Sequence, residues 1–242
     1  MLSWNGETLV YECGDKEDIH MAIASIPDRE EYLEETIKSV INQVDHLYIY
    51  LNNYRNVPKF LTENSKISFQ RSQDSGDIGD IGKFWWCDKI SGYYFTGDDD
   101  LIYDKDYVKI LKQKIDFYNK RSIIGVHGSI FLSNKNGYCA DSNHRQVSNG
   151  FVVERVNQDQ RVNLLGTGVM GFHTSLGIPL EIFAHPNMAD IWMAKYANSV
   201  DIPLINIKRD KILFKWNSRS VGASIWESSF NNINNKMNTR RI

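Results

Sequence analysis

The chain has 242 residues, 42% hydrophobic and 24% charged, with 28 Lys and Arg against 30 Asp and Glu for a net charge of −2. That is enough apolar material for a real core, and it gives no electrostatic case for nucleic acid as a partner. The scattered Cys13, Cys87 and Cys139 lack a C-x-x-C, and no apolar run reaches bilayer length, so a disulfide scaffold, a structural zinc site and a transmembrane segment are not expected and a cytoplasmic setting is.

Residues 1–19 read as an irregular lead-in or a short hairpin, and 21–26 as a buried strand. Asp28 and Glu31 offer a capping pair for a helix, in which Leu33, Ile37, Val40, Ile41 and Val44 recur at helical spacing. Residues 47–51 make the next strand, ending at Asn52-Asn53. This β-α-β opening predicts a parallel sheet. A short strand is expected at 67–69, a loop rich in Gly and Asp over 70–82, and a helix over 83–90. The aromatic strand 93–96 then runs into Asp98, Asp99 and Asp100.

Tyr107, Leu111, Ile115 and Tyr118 line one face of a further helix, and 123–126 is another strand. The stretch 129–150 has little periodicity and reads as a long loop. Residues 151–155 and 161–165 are expected to pair as a hairpin, followed by a tight turn at Gly166-Thr167-Gly168. A helix over 188–198 and a strand over 202–207 follow. The tail 218–242 is rich in Ser and Asn and is expected to be mobile in part. Together these elements predict an α/β fold of one domain over 20–217, with a mixed, mostly parallel sheet flanked by helices.

Three adjacent carboxylates repel one another, so a compensating cation is expected. Oxygen ligands suit Mg²⁺ or Mn²⁺. In an extended chain residues i and i+2 share a side, which lets Asp98 and Asp100 hold one ion while Asp99 faces elsewhere. A solvated acidic turn continuing through Asp104 and Asp106 also accounts for the triplet. An EF-hand loop does not, because Tyr103 stands where it needs Gly and Lys109 where it needs Glu. Lys208, Arg209, Lys211 and Lys215 form a basic cluster that reads as a solvated face or as a contact for phosphates.

Four signals stand in order: Ala24-Ser-Ile-Pro-Asp-Arg29, Gly79-Asp-Ile-Gly-Lys-Phe84, Asp98-Asp-Asp100, and Gly166-Thr-Gly168 with Asn187-Met-Ala-Asp190. The order resembles the GT-A (Rossmann-like) fold of nucleotide-sugar glycosyltransferases, particularly small bacterial family 2 members that build capsule and other surface glycans. It covers roughly 20–215. The resemblance implies a nucleotide-binding half about 20–126 and an acceptor, catalytic half about 127–217.

It also implies an inverting transfer from a nucleotide-diphosphate sugar, UDP-linked by expectation, to a glycan or lipid-linked glycan acceptor. Asp98 and Asp100 would hold Mn²⁺ or Mg²⁺, Asp98 through water or by holding the ribose instead, and Asp99 would orient the donor sugar. Pro27 and Arg29 would border the nucleobase, and Asn52 would bond base or ribose. Asp80 and Lys83 would read the nucleotide, and Gly166, Thr167 and Gly168 would lie under the donor sugar. Asp190 would be the general base, although Asn187 and Asp190 also fit an N-cap pair.

No histidine follows Asp190, which leaves a third protein ligand without a clear source; His173 is more often structural or acceptor-facing in its context. Trp192 and Trp216 are candidates for stacking on sugars, whereas Trp85 and Trp86 read as core. Association with the inner membrane face, or with a larger polymerase, is compatible with the sequence. Two other functions fit less well: a sugar nucleotidyltransferase, whose first loop is normally Gly-rich, and a non-catalytic nucleotide- or carbohydrate-binding module.

Overall fold

A computed structural model of the chain describes residues 2–4, 9–11, 16–131, 145–149 and 155–217, with side chains over 16–130 and 155–217. Strands β1 (Leu2–Trp4) and β2 (Leu9–Tyr11) pair antiparallel, the hairpin alternative of the two readings of residues 1–19. Strand β3 (Ile19–Ser25) follows, buried along most of its length. The 3-10 turn Pro27–Arg29 leads into helix α1 (Glu30–Val40), which buries Leu33, Thr36, Ile37 and Val40. The N-cap position falls on Arg29 without a side-chain cap, so Asp28 and Glu31 do not form the expected pair.

Strand β4 (His46–Leu51), helix α2 (Lys59–Thr62), strand β5 (Ile67–Arg71) and helix α3 (Ser72–Ser75) come next. The helix expected over 83–90 is instead a 3-10 segment, Gly79–Phe84, followed by turns. Gly82 explains part of this. A Cβ there would lie 2.6 Å from the Tyr50 ring, so the backbone itself is pressed onto the sheet.

Strand β6 (Tyr93–Asp98), helix α4 (Tyr107–Phe117) and strand β8 (Ile123–Gly125) follow in the expected order, with an unexpected short strand β7 (Leu101–Tyr103) between the first two. The long loop expected over 129–150 is not one throughout. Strands β9 (Gly128–Phe131) and β10 (Arg145–Asn149) pair antiparallel within it, while 132–144 lie outside the described residues.

Of the hairpin expected of 151–155 with 161–165, residues 151–154 lie outside the described residues. Strand β11 (Gln160–Arg161) joins the main sheet, and strand β12 (Leu164–Leu165) pairs with β9. Strand β13 (Val169–His173), helix α5 (Ala189–Ser199), strand β14 (Leu204–Asn206) and strand β15 (Phe214–Trp216) complete the chain up to 217. The tail 218–242 lies outside the described residues.

The main sheet has eight strands in the order β11-β14-β8-β13-β6-β3-β4-β5. Six run one way; β13 and β11 run against them. Its strands alternate between two apolar layers. Met21, Ile23 and Phe95 pack with Leu33 and Ile37 of α1 and with Leu111 and Ile115 of α4. Ala22, Tyr94, Met170 and Phe172 pack with Phe84 and with Ala189, Met193 and Ala197 of α5. The chain is therefore a three-layer α/β structure with a mostly parallel sheet, compatible with a Rossmann-like fold. Among the described residues no helix is long and apolar enough to cross a membrane.

Candidate functional site

The carboxyl ends of β3, β4 and β6 lie side by side, since Ala24 pairs with both Tyr50 and Asp98. Because β13 runs backwards, its first residue reaches the same edge: Val169 pairs with Gly97. The turn Gly166–Gly168 therefore lands beside the acids. This edge of an open α/β sheet is where ligand sites form.

Strand β6 ends at Asp98, and Asp99 and Asp100 form a turn before β7. The alternation expected of an extended triplet therefore stops at its first member. Asp98, the most exposed of the three carboxylates, pairs with the buried ammonium of Lys83. Asp99 and Asp100 do not face apart. Both lie on the same Arg29 nitrogen, at 2.8 and 3.1 Å. The repulsion anticipated from sequence is thus met in part by two of the protein's own cations.

Burial pushes the Asp99 carboxyl up, against the pull of Arg29. Burial, and then the charge of Asp98, push Asp100 up to about 7. Burial alone would lower the Lys83 ammonium, but Asp98, Asp80 and Asp190 outweigh it and the group is raised.

Gly168 is needed for Asp98 to sit where it does, because a Cβ there would fall 1.9 Å from an Asp98 carboxylate oxygen. Tyr103 fastens the two together. Its hydroxyl donates to the Gly168 carbonyl at 2.7 Å and accepts from the Asp98 N–H at 3.0 Å. Below the turn, the Thr36 hydroxyl lies 2.9 and 2.8 Å from the carbonyls of Asp99 and Leu101. Above it, β15 pairs with β7, and the Asn217 N–H donates to the Asp100 carbonyl at 2.8 Å.

Asp190 stands in the first turn of α5 but does not cap it with Asn187. One of its oxygens accepts from both the backbone N–H and the hydroxyl of Thr167, at 2.9 and 2.5 Å. Burial pushes Asp190 up; the two Thr167 bonds and Lys83 pull against it. Gly166 is buried beside this contact, its N–H on the His127 carbonyl. The group that holds the start of α5 is Asp80, which accepts from the N–H groups of Asn187 and Ala189.

Other expected residues are placed with different partners. Asn52 is buried and its amide bonds Gly79 and Ile78, so its polar atoms are committed to that turn. Pro27 is exposed at the mouth of the edge. His173 lies at the opposite end of β13, between Ser175 and Glu17, away from the acids. Trp85 and Trp86 pack on Tyr50 and Tyr48; Trp192 packs in the α5 layer, and Trp216 is partly exposed on β15.

The basic cluster is divided, with Lys208 and Lys215 exposed. Arg209 is buried, and Lys211 is bound to Asp104 and Asp106. Sequence reasoning missed Tyr103, Thr36 and Asn217. Tyr103 alone left a signal, as a hydroxyl five residues past Asp98.

No set of three metal-ligating side chains occurs among the described residues. Asp98 and Asp100 supply carboxylate oxygens only, a donor set that fits a hard divalent cation with further oxygens from a ligand or water. No protein-family model matches the chain, and no curated protein matches it.

Proposed function

We propose that the chain is a metal-dependent, inverting glycosyltransferase of GT-A type. It takes a nucleotide-diphosphate sugar, with UDP the first carrier to test, and transfers the sugar to a glycan or lipid-linked glycan acceptor in bacterial polysaccharide synthesis. One observation carries the reading: Asp190, held by Thr167, and Asp98, nested against Gly168, flank a single three-residue turn at the sheet's carboxyl edge.

In this reading Asp190 accepts the proton of the acceptor hydroxyl as its oxygen bonds to the anomeric carbon. The bond from that carbon to the diphosphate breaks, and its electron pair leaves with the phosphate. A carboxyl raised by burial suits that role, since a base works best with a pKa near the working pH. Thr167 fixes its orientation. Lys83 and Arg29 place positive charge where the leaving group gains negative charge. Asp98 and Asp100 would hold a Mn²⁺ or Mg²⁺ ion, which when bound neutralises diphosphate charge.

The test is a melting-temperature screen of UDP, GDP, CMP and dTDP with and without Mn²⁺, followed by release of nucleotide from the matching sugars. A ligand at a hundred times its Kd stabilises by about 2.7 kcal/mol. A shift with one nucleotide diphosphate that needs Mn²⁺, and slow sugar release with it, is the expected result. No shift with any of them sinks the proposal and favours a different ligand class.

A further inference from the structure

Helix α5 begins without a cap of its own: its N-cap residue is Met188, which makes no side-chain bond there. Asn187 before it is held in a left-handed conformation, φ 62°. Four N–H groups at a helix start need partners. Here a carboxylate 107 residues earlier in the chain contributes. One Asp80 oxygen takes the Asn187 N–H at 2.6 Å, and the other takes the Ala189 N–H at 3.1 Å. Its negative charge also suits the positive end of the helix. The neighbouring Gly79 packs so closely that a Cβ would fall 2.8 Å from the Asn187 side-chain oxygen.

We infer that Asp80 is a positioning residue, whose carboxylate grips the turn before α5 and so sets where the Asp190 carboxylate stands. This rests on the reading of Asp190 as the base. The 3-10 segment that carries Asp80 also carries Lys83, which holds Asp98. From Asp98 the path returns through Gly168 and Thr167 to Asp190. The contacts therefore close a ring around the site, and Asp80 is its link between the donor side and the base. It follows that Asp80 does not read the nucleobase, because doing so would release α5.

The experiment compares wild type with Asp80→Asn, which keeps the shape but offers an NH₂ to one of the two backbone donors. Amide exchange is measured over 185–192. UDP affinity is measured by calorimetry with Mn²⁺. Turnover is followed on whichever of UDP-glucose, UDP-galactose and UDP-N-acetylglucosamine the wild type hydrolyses fastest. Expected are exchange at 187–189 faster by about tenfold, kcat lower by tenfold or more, and a UDP Kd within about twofold of wild type.

Unchanged exchange at 187–189, with UDP affinity lost and kcat kept, overturns the inference and returns Asp80 to the nucleotide. If the variant does not fold, wild-type exchange decides: slow amides at Asn187 and Ala189 beside a fast one at Met188 uphold the clamp, and uniformly fast exchange overturns it. If the wild type hydrolyses none of the three sugars, turnover is followed on a sugar of the nucleotide that the melting-temperature screen selects, and the exchange pattern still decides the clamp.

Discussion

Asp190 and Thr167 are joined twice, through the backbone N–H at 2.9 Å and the hydroxyl at 2.5 Å, both to the same carboxylate oxygen. The pair ties the start of α5 to the turn before β13. An amide oxygen can accept both bonds but cannot take a proton. Asp190→Asn is therefore expected to keep the fold and UDP affinity and to lower kcat by about 10²–10⁴. Measuring kcat, Kd and melting temperature on the one variant checks this. A normal kcat removes Asp190 from the chemistry.

Thr167→Val deletes the hydroxyl and leaves the backbone donor in place. Those bonds hold the Asp190 carboxyl down against burial, so losing one raises it further. A base acts when deprotonated, and the rate limb it controls rises with pH. That limb should move to higher pH in the variant, with a larger deficit on the acid side of the profile than on its alkaline plateau. A parallel loss at all pH values contradicts the role given to the hydroxyl.

Asp100 governs stability in the opposite sense from most carboxylates. Its folded value is pushed from 3.8 to about 7, so the native state holds this proton more tightly than the unfolded chain does. Stability from this group is present in full below pH about 4 and is lost as pH rises through about 7. Asp100→Asn should accordingly raise the melting temperature at pH 8 by about 2–4 °C, the shift that about 1 kcal/mol produces at this size. The gain should shrink at pH 5. Loss of Mn²⁺-dependent UDP binding should accompany it, and an equal destabilisation at both pH values points instead to loss of the Arg29 contact.

Gly168→Ala forces a methyl group into the space of the Asp98 carboxylate, 1.9 Å away. Overpacking of this kind costs about 1–3 kcal/mol. Asp98 should leave Lys83, and UDP affinity with Mn²⁺ should fall. Unaltered affinity would mean that Asp98 does not touch the ligand.

The parallel half of the sheet was legible because β3, α1, β4 and β6 are continuous apolar or amphipathic runs whose spacing names them. The acids, Lys83, Thr167 and Asp190 were legible as residues, and they do gather at one edge. Their pairings were not. Local rules predicted that Asp190 would cap with Asn187, and that Asp99 would face away from Asp100. Tertiary contacts prevailed in both cases: Asp80 took over the helix start, and a turn at Asp99 brought Asp99 and Asp100 to one guanidinium. Strand β13 was invisible because Val169-Met-Gly-Phe-His173 is short, contains Gly171, and runs against its neighbours. A Cβ on Gly171 would meet the Phe95 ring at 2.3 Å, a close approach that only the partner strand explains.

The bond from Asn217 to Asp100 has a consequence for how the molecule is made. A chain leaving the ribosome exposes its three carboxylates long before the strand that covers them exists. At usual rates of synthesis, about 5–20 residues per second, that interval lasts roughly ten seconds. During it Arg29 is already available as a counter-charge, whereas β15, Thr167 and Asp190 are still to come. Contacts of such long sequence separation, up to 182 residues between Glu35 and Asn217, also make folding slow. The contacts of the acidic turn thus cannot be completed before β15 and Asn217 have been made, and a chain released before that point would carry the acids without the segments that cover them.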